Sequence, residues 1–392
     1  MTWDRKRDAP EKELLPLLAR QTLGQDAAVR LASRIREGLD WPSFAQQAFH
    51  EGIAPLLYHH CRAIDVLDSL PEGTRKYLAR IYAETTLINR HLLKAATDLD
   101  QMLQKEGVQA ILLKGAALLR TVYRDIGLRP MEDIDLLVRP ADLPKLERIL
   151  QQMGFLRKRL YPGSFVQGIL SIDVHTDILS SHRIRSRQAL LEMHPEDVWR
   201  TATPVDGTSA LYSLSFNVQG IALSFHLLKH RFARLLWFVD IAELIETFSP
   251  SLDWEGLIAD AQRVRAEKLL LYTLLLTKGL LGTPIPEAVC NRLGKEKLSL
   301  WERSILRLRL AHRPLGTAAD LLWMFLIRGA GPKVRFIKEN LFPRAEVMQQ
   351  IYPHAPDRFA TFLHRSVQVL RQLVSDLFKS CRGVLAGGLP PL

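Results

Sequence analysis

Three aspartates form the clearest chemical pattern in this chain. Asp133 and Asp135 stand two apart in MEDIDLLV, and Asp173 follows in SIDVHTDIL. Side chains alternate along an extended backbone, so Asp133 and Asp135 share one face while Ile134, Leu136 and Val138 take the other. Two carboxylates held side by side repel each other unless a cation sits between them. Hard oxygen donors that leave room for phosphate oxygens suit Mg2+, with Mn2+ as its substitute. In the second run Asp173, His175 and Asp177 share a face opposite Ile172, Val174 and Ile178. A third carboxylate from a neighbouring strand is what a two-metal phosphoryl-transfer site requires, and it could take the proton of an incoming hydroxyl. A solvated face of an edge strand gives the same alternation. His175 reads as a hydrogen-bonded neighbour that orients Asp173.

Lys114-Gly115 opens a helix directly after a short apolar strand. Free N–H groups at a helix start, with a glycine that permits close approach, make an anion site. Lys114 adds a point charge suited to a triphosphate. Arg129, between this turn and the acids, is a second candidate for that role. His226 and His230 lie four apart and so share a helical face. That spacing permits a metal site, but no Glu separates them as in the zinc-protease motif, and no third ligand is near. They read as surface histidines facing the cleft. Asp240, inside LLWFVDIAELI, is expected to pair with Arg231 or Arg234.

The elements that must position these groups follow from periodicity. Apolar residues recur at threes and fours over residues 11–106, notably from Arg75 to Leu103, which predicts a helical N-terminal region, 1–106. The character changes near Gly107. Strands are expected over Val108–Leu113, Ile134–Val138, Phe155–Leu160 and Ser171–Thr176, with helices over Gly115–Tyr123 and from Pro140 to about Met153. This alternation predicts an α/β core over 107–212. The helical period returns from Ser215, giving a C-terminal helical region, 213–380, with Asp253 as an N-cap. The tail, 381–392, is expected to be disordered. The fold class is therefore α+β: a small mixed sheet with extensive helical regions on either side.

Composition sets the context. With 47% hydrophobic and 24% charged residues the chain has the balance of a globular protein. Cys61, Cys290 and Cys381 are far apart and offer neither a disulfide framework nor a zinc site, so a reducing compartment, the cytoplasm, is expected. The charged start, MTWDRKRDAPEKELL, lacks the apolar stretch of a signal peptide, and no transmembrane segment is expected. The net charge is +11, and from Trp301 onward 14 Lys/Arg face 6 Asp/Glu. A basic face could meet nucleic acid or another polyanion. No RNA- or DNA-binding motif accompanies it, so nucleic acid is not the favoured partner.

Three runs, KGAALLRTVYRDIGLRPMEDIDLLVRPADL, IDVHTDIL and HLLKHRFARLLWFVDIAELI, resemble the uncharacterised nucleotidyltransferases of the DNA polymerase beta-like superfamily. With KENLFPRAEVMQQIYP as a closing segment, the resemblance spans roughly Asp40 to Pro353. It implies a small mixed sheet with the Asp-x-Asp pair on one strand and the third acid on the next. It also implies transfer of a nucleoside monophosphate from a triphosphate, such as ATP, to a hydroxyl, with release of pyrophosphate. By position, Asp133, Asp135 and Asp173 would be the catalytic metal ligands and Gly115 would sit against the triphosphate. The superfamily usually carries Gly-Ser at this helix start, where this chain has Lys114-Gly115-Ala116-Ala117, with Lys114 as an electrostatic substitute. A non-catalytic binding or scaffold protein of the same fold, and an RNA-directed nucleotidyltransferase, are the alternatives.

Overall fold

The computed structural model describes residues 14–37, 39–179 and 185–352, with four isolated positions further on. The charged N-terminal stretch and the expected disordered tail, 381–392, lie almost wholly outside the described residues.

Helices α1 (Gln25–Glu37), α2 (Trp41–His50), α3 (Ala54–Ala63) and α4 (Glu72–Lys105) lead in. A seven-stranded sheet follows, made of β1 (Ala110–Leu113), β2 (Ile134–Val138), β3 (Leu156–Arg157), β4 (Ser164–Gln167), β5 (Leu170–His175), β6 (Thr203–Pro204) and β7 (Leu211–Ser213). Interspersed with these strands are α5 (Lys114–Thr121), α6 (Leu143–Gln152) and α7 (Pro195–Thr201). Beyond the sheet come α8 (Phe216–Lys229), α9 (Leu235–Phe248), α10 (Trp254–Arg263) and α11 (Glu267–Leu281). The described C-terminal part adds α12 (Glu287–Arg292), α13 (Leu300–Leu310), α14 (Ala318–Leu326), α15 (Ala330–Leu341) and α16 (Ala345–Ile351). The class is α+β, as the periodicity indicates.

The strand order is β3-β4-β5-β2-β1-β7-β6. β2 pairs antiparallel with β1 and parallel with β5, and β1 pairs parallel with β7. β2 is therefore an interior strand, and its five residues are all buried. One face of the sheet joins a large core with the flanking helices, through Leu112, Leu136, Val138, Ile172 and Val174. On the opposite face, Ile111, Leu113, Leu137 and Leu214 form a smaller core with Val198, Trp199 and Val218 from α7 and α8. The acids stand on this second face.

The long helix α4 fixes the approach to the site. Its buried positions Leu78, Ile81, Thr85, Asn89, Leu92, Ala96, Leu99 and Leu103 recur at threes and fours, the stripe of a helix packed along one side. Two of its buried polar residues, Asn89 and Asp100, tie the helix to the sheet. Asn89 Nδ2 donates to the carbonyls of Ile126 and Arg129 at 2.6 and 2.8 Å, holding the loop before β2. The Asp100 carboxylate accepts from the N–H groups of Ser209, Ala210 and Leu211, which sets the entry to β7.

One strand expectation is corrected, and one strand is added. The strand expected over Phe155–Leu160 shrinks to Leu156–Arg157, at the edge of the sheet. Between it and β5 lies β4, joined to β5 by a two-residue hairpin whose Gly168 has φ +59°. A positive φ is the requirement of that tight turn, and glycine meets it without strain. Asp253 caps α10 as expected, accepting from Gly256 N at 3.0 Å. Among the described residues no helix is long and apolar enough to cross a membrane.

Candidate active site

β2 and β5 run parallel with Asp135 directly beside Asp173. Asp133 precedes β2 by one residue and projects to the same side as Asp135. The three carboxylates each offer an oxygen, and these oxygens lie within 4.8 Å of one another. Among the described residues, this is the one cluster of three metal-ligating side chains.

Asp135 is the centre of the cluster. Its Oδ1 accepts from Lys114 Nζ at 2.6 Å and from His175 Nε2 at 2.8 Å. Burial alone would raise its pKa, but Lys114 and the hydrogen bond from His175 outweigh that and hold it well below the usual carboxylate range. Asp133 behaves oppositely. Burial, then the charges of Asp135 and Asp173, push its carboxyl up to about 7. The site therefore carries more negative charge than Lys114 neutralises, which is the electrostatic condition for holding a cation. An all-oxygen donor set is that of a hard divalent ion.

His175 was expected to orient Asp173. The structure places its Nε2 on Asp135 instead, because residue 175 lies beside Leu137 and its ring reaches across to the neighbouring strand.

Lys114 is the first residue of α5, with φ +47°, a left-handed conformation that is uncommon for a side-chain-bearing residue. Leu113 gives the helix no side-chain cap. Lys114 thus stands where the strand turns into the helix, with its ammonium on the acid of the adjacent strand.

Gly115 follows, at a position where no side chain fits. A Cβ at this position would lie 2.5 Å from Arg129 Nη1 and 3.0 Å from Met131 Sδ. The glycine makes room for the segment leading into β2. Arg129 was expected to face the triphosphate, but it is buried, and its Nε and Nη2 donate to the two carboxylate oxygens of Asp240 at 2.8 and 2.7 Å. Tyr123 Oη donates to the same Asp240 at 2.8 Å. This also corrects the pairing expected for Asp240. Arg231 bonds Asp320, and Arg234 stacks against Trp237. The bidentate pair locks α9 to the loop before the acids.

His230 is exposed, and His226, half-buried, faces the cleft as expected. Burial, then Lys114 and His230, keep its pKa well below 6.5. Its ring lies 4.6 Å from that of His230 and 5.0 Å from that of Trp237. It lines a cleft with Lys114, His175 and Gln219. The sequence reading missed Gln219, Asn89 and Asp100; a polar residue within an apolar helical stripe was the available signal.

Residues 37–282 match the family described as "Uncharacterised nucleotidyltransferase". The chain belongs to this family. The match takes in the whole sheet and all three acids of this nucleotidyltransferase, together with α8 to α11. It ends before KENLFPRAEVMQQIYP, the segment expected to close the resemblance. Comparison with curated proteins and with solved structures gives no match.

Proposed function

We propose that this protein transfers a nucleoside monophosphate from a nucleoside triphosphate to a hydroxyl group, releasing pyrophosphate. The acceptor would be a small molecule, a saccharide or a protein, and the setting cytoplasmic. The observation that carries the reading is the register of β2 and β5, which sets Asp135 beside Asp173 with Asp133 within 4.8 Å, in a nucleotidyltransferase family member.

Asp133, Asp135 and Asp173 would hold Mg2+, or Mn2+ in its place. When bound, the ion neutralises phosphate charge and polarises the phosphorus under attack. Lys114 would then leave Asp135 for the triphosphate, aided by the free amides at the start of α5. Asp173 would accept the hydroxyl proton. The hydroxyl oxygen bonds to the α-phosphorus, the bond from that phosphorus to the bridging oxygen breaks, and its electrons leave with pyrophosphate. His175 would keep Asp135 oriented throughout.

One observation favours a second, non-catalytic reading. Lys114 and His175 already satisfy Asp135 Oδ1 without a metal. Incubation with each α-labelled triphosphate, Mg2+ and a cell extract separates the two. The catalytic reading expects label in a new product with the wild type and none with Asp135→Asn. Absence of labelled product with all four nucleotides, while the protein binds them, favours the second reading.

A further inference from the structure

The turn that follows α8 has an uncommon backbone. Arg231 and Phe232 have φ of +57° and +53°, two consecutive side-chain-bearing residues in the left-handed region. Such conformations persist only where the surroundings fix them, and they cluster at functional sites. Here the buried Arg309 donates from Nε to the Phe232 carbonyl at 2.8 Å and from Nη2 to that of Ala233 at 3.3 Å. Arg231 in turn donates to both carboxylate oxygens of Asp320, at 3.1 and 2.7 Å. These contacts hold His230 and Arg231 in one place, the wall of an open pocket of about 360 Å³. That volume is within the range of small-molecule sites.

The chemistry of the wall selects a ligand class. Among the described residues the lining holds three cations, Arg187, Lys229 and Arg231, against one carboxylate, Asp320, which Arg231 already binds. A small concave space with a net positive wall suits a small anion. Arg187 is held in position: Ser186 donates from N and Oγ to Glu339 at 3.0 and 2.7 Å, fastening the turn Arg185–Ala189 to α15. Its guanidinium lies 5.6 Å from the ring centre of Trp323, which stacks on Phe336 and gives the pocket its apolar side. His230 and Asn340 add side chains that can hydrogen-bond hydroxyls.

The pocket adjoins the acid site and is separate from it. Lys229 borders both this pocket and the cleft lined by Lys114 and His175. The His226 ring in that cleft lies 4.6 Å from the His230 ring in this pocket. His230 is within electrostatic reach of Lys114 and Asp135 as well as of Arg187. Asp320, Trp323, Phe336 and Asn340 all lie beyond residue 282, where the family match ends. The C-terminal helices of this chain therefore complete a pocket that the matched region alone does not form.

We propose that this pocket holds the acceptor, and that the acceptor is a small hydroxylated anion, a sugar or polyol carrying a phosphate or a carboxylate. The proposal rests on the nucleotidyltransferase reading and names the acceptor class. Arg187 and Lys229 would hold the anionic group, and a hydroxyl would reach past His230 to the acids. Its oxygen would take the nucleotidyl group, with the proton passing to Asp173 as pyrophosphate leaves.

The test supplies the full chain with Mg2+, each α-labelled triphosphate and a cell extract divided into macromolecules, small neutral compounds and small anions. Label should pass to the small anions alone. Treating that fraction with phosphatase beforehand, then removing the phosphatase, separates the two sources: loss of acceptor identifies a phosphate, and survival a carboxylate. Arg187→Gln should raise the half-saturating amount of this fraction by about tenfold or more, the effect of one lost charge-assisted hydrogen bond. Asn340→Asp, which adds one negative charge without changing shape, should raise it several-fold. Both variants should bind Mn2+ and a non-hydrolysable triphosphate as the wild type does, which also shows that they are folded. Label passing to neutral compounds or macromolecules overturns the proposal and leaves the nucleotidyltransferase reading standing. Unchanged half-saturation in both variants also overturns it, as does loss of triphosphate affinity in both, which would give the pocket to the triphosphate. Absence of label in every fraction contradicts both readings.

Discussion

Lys114 Nζ and Asp135 Oδ1 lie 2.6 Å apart, joining the first residue of α5 to the central acid of β2. The lysine side chain is 25% exposed and the aspartate 8%. A partly exposed ammonium on a buried carboxylate can move to another anion at low cost, whereas the carboxylate cannot leave. Asp135→Asn should therefore abolish divalent-metal binding and lower stability by about 1–3 kcal/mol, measured by urea denaturation without metal. Wild-type metal affinity in this variant would exclude Asp135 as a ligand.

Asp133 should respond to substitution in the opposite direction. Its folded carboxyl is raised to about 7 from 3.8. A group whose folded pKa lies above its unfolded value contributes stability that is full below the unfolded pKa and lost as pH rises through the folded one. Metal-free wild type should thus lose melting temperature between pH 5 and pH 8 relative to Asp133→Asn. Saturating Mg2+ should reduce the difference in pH dependence. Parallel pH profiles for the two proteins without metal would contradict the charge excess inferred at the site.

Asp173→Asn keeps shape and loses the charge assigned to proton transfer. Turnover should fall roughly 10²–10⁴-fold, the scale of a positioned base, while triphosphate binding is largely retained. Full turnover in this variant, with Asp177→Asn inactive, would move the role two residues along the chain.

Arg129→Ala leaves Asp240 buried without its bidentate partner. The expected loss is about 3–5 kcal/mol of unfolding free energy. Replacing both residues, Arg129→Met with Asp240→Leu, should recover much of it. Gly115→Ala drives a methyl group into the same guanidinium and should lower the melting temperature. If Gly115→Ala instead melts as the wild type does but loses triphosphate affinity, the glycine serves the ligand rather than Arg129.

Local pattern made the acid strand legible and left its supports hidden. Ile134–Val138 is a strand over the range its alternation predicts, and α4 runs Glu72–Lys105 against an expected Arg75–Leu103. Both have many residues reporting one period. β6 and β7 have two and three residues, too few for any period to show. The hairpin between β4 and β5 was signalled only by Gly168. Arg129 and Asp240 are 111 residues apart, and no local rule pairs them; the nearer arginines, Arg231 and Arg234, were the natural expectation. His175 was misassigned because its partner depends on strand order, which alternation within one strand does not contain.

The most direct test is a Mn2+ titration followed by electron paramagnetic resonance, in the presence of a non-hydrolysable triphosphate, because it needs no knowledge of the acceptor. Wild type should bind Mn2+ and lose that binding in Asp133→Asn and in Asp135→Asn, each checked for native fold by circular dichroism. Wild type that binds no Mn2+, or folded Asp133→Asn and Asp135→Asn variants that bind it as tightly as wild type, would contradict the assignment of the three acids as a metal site.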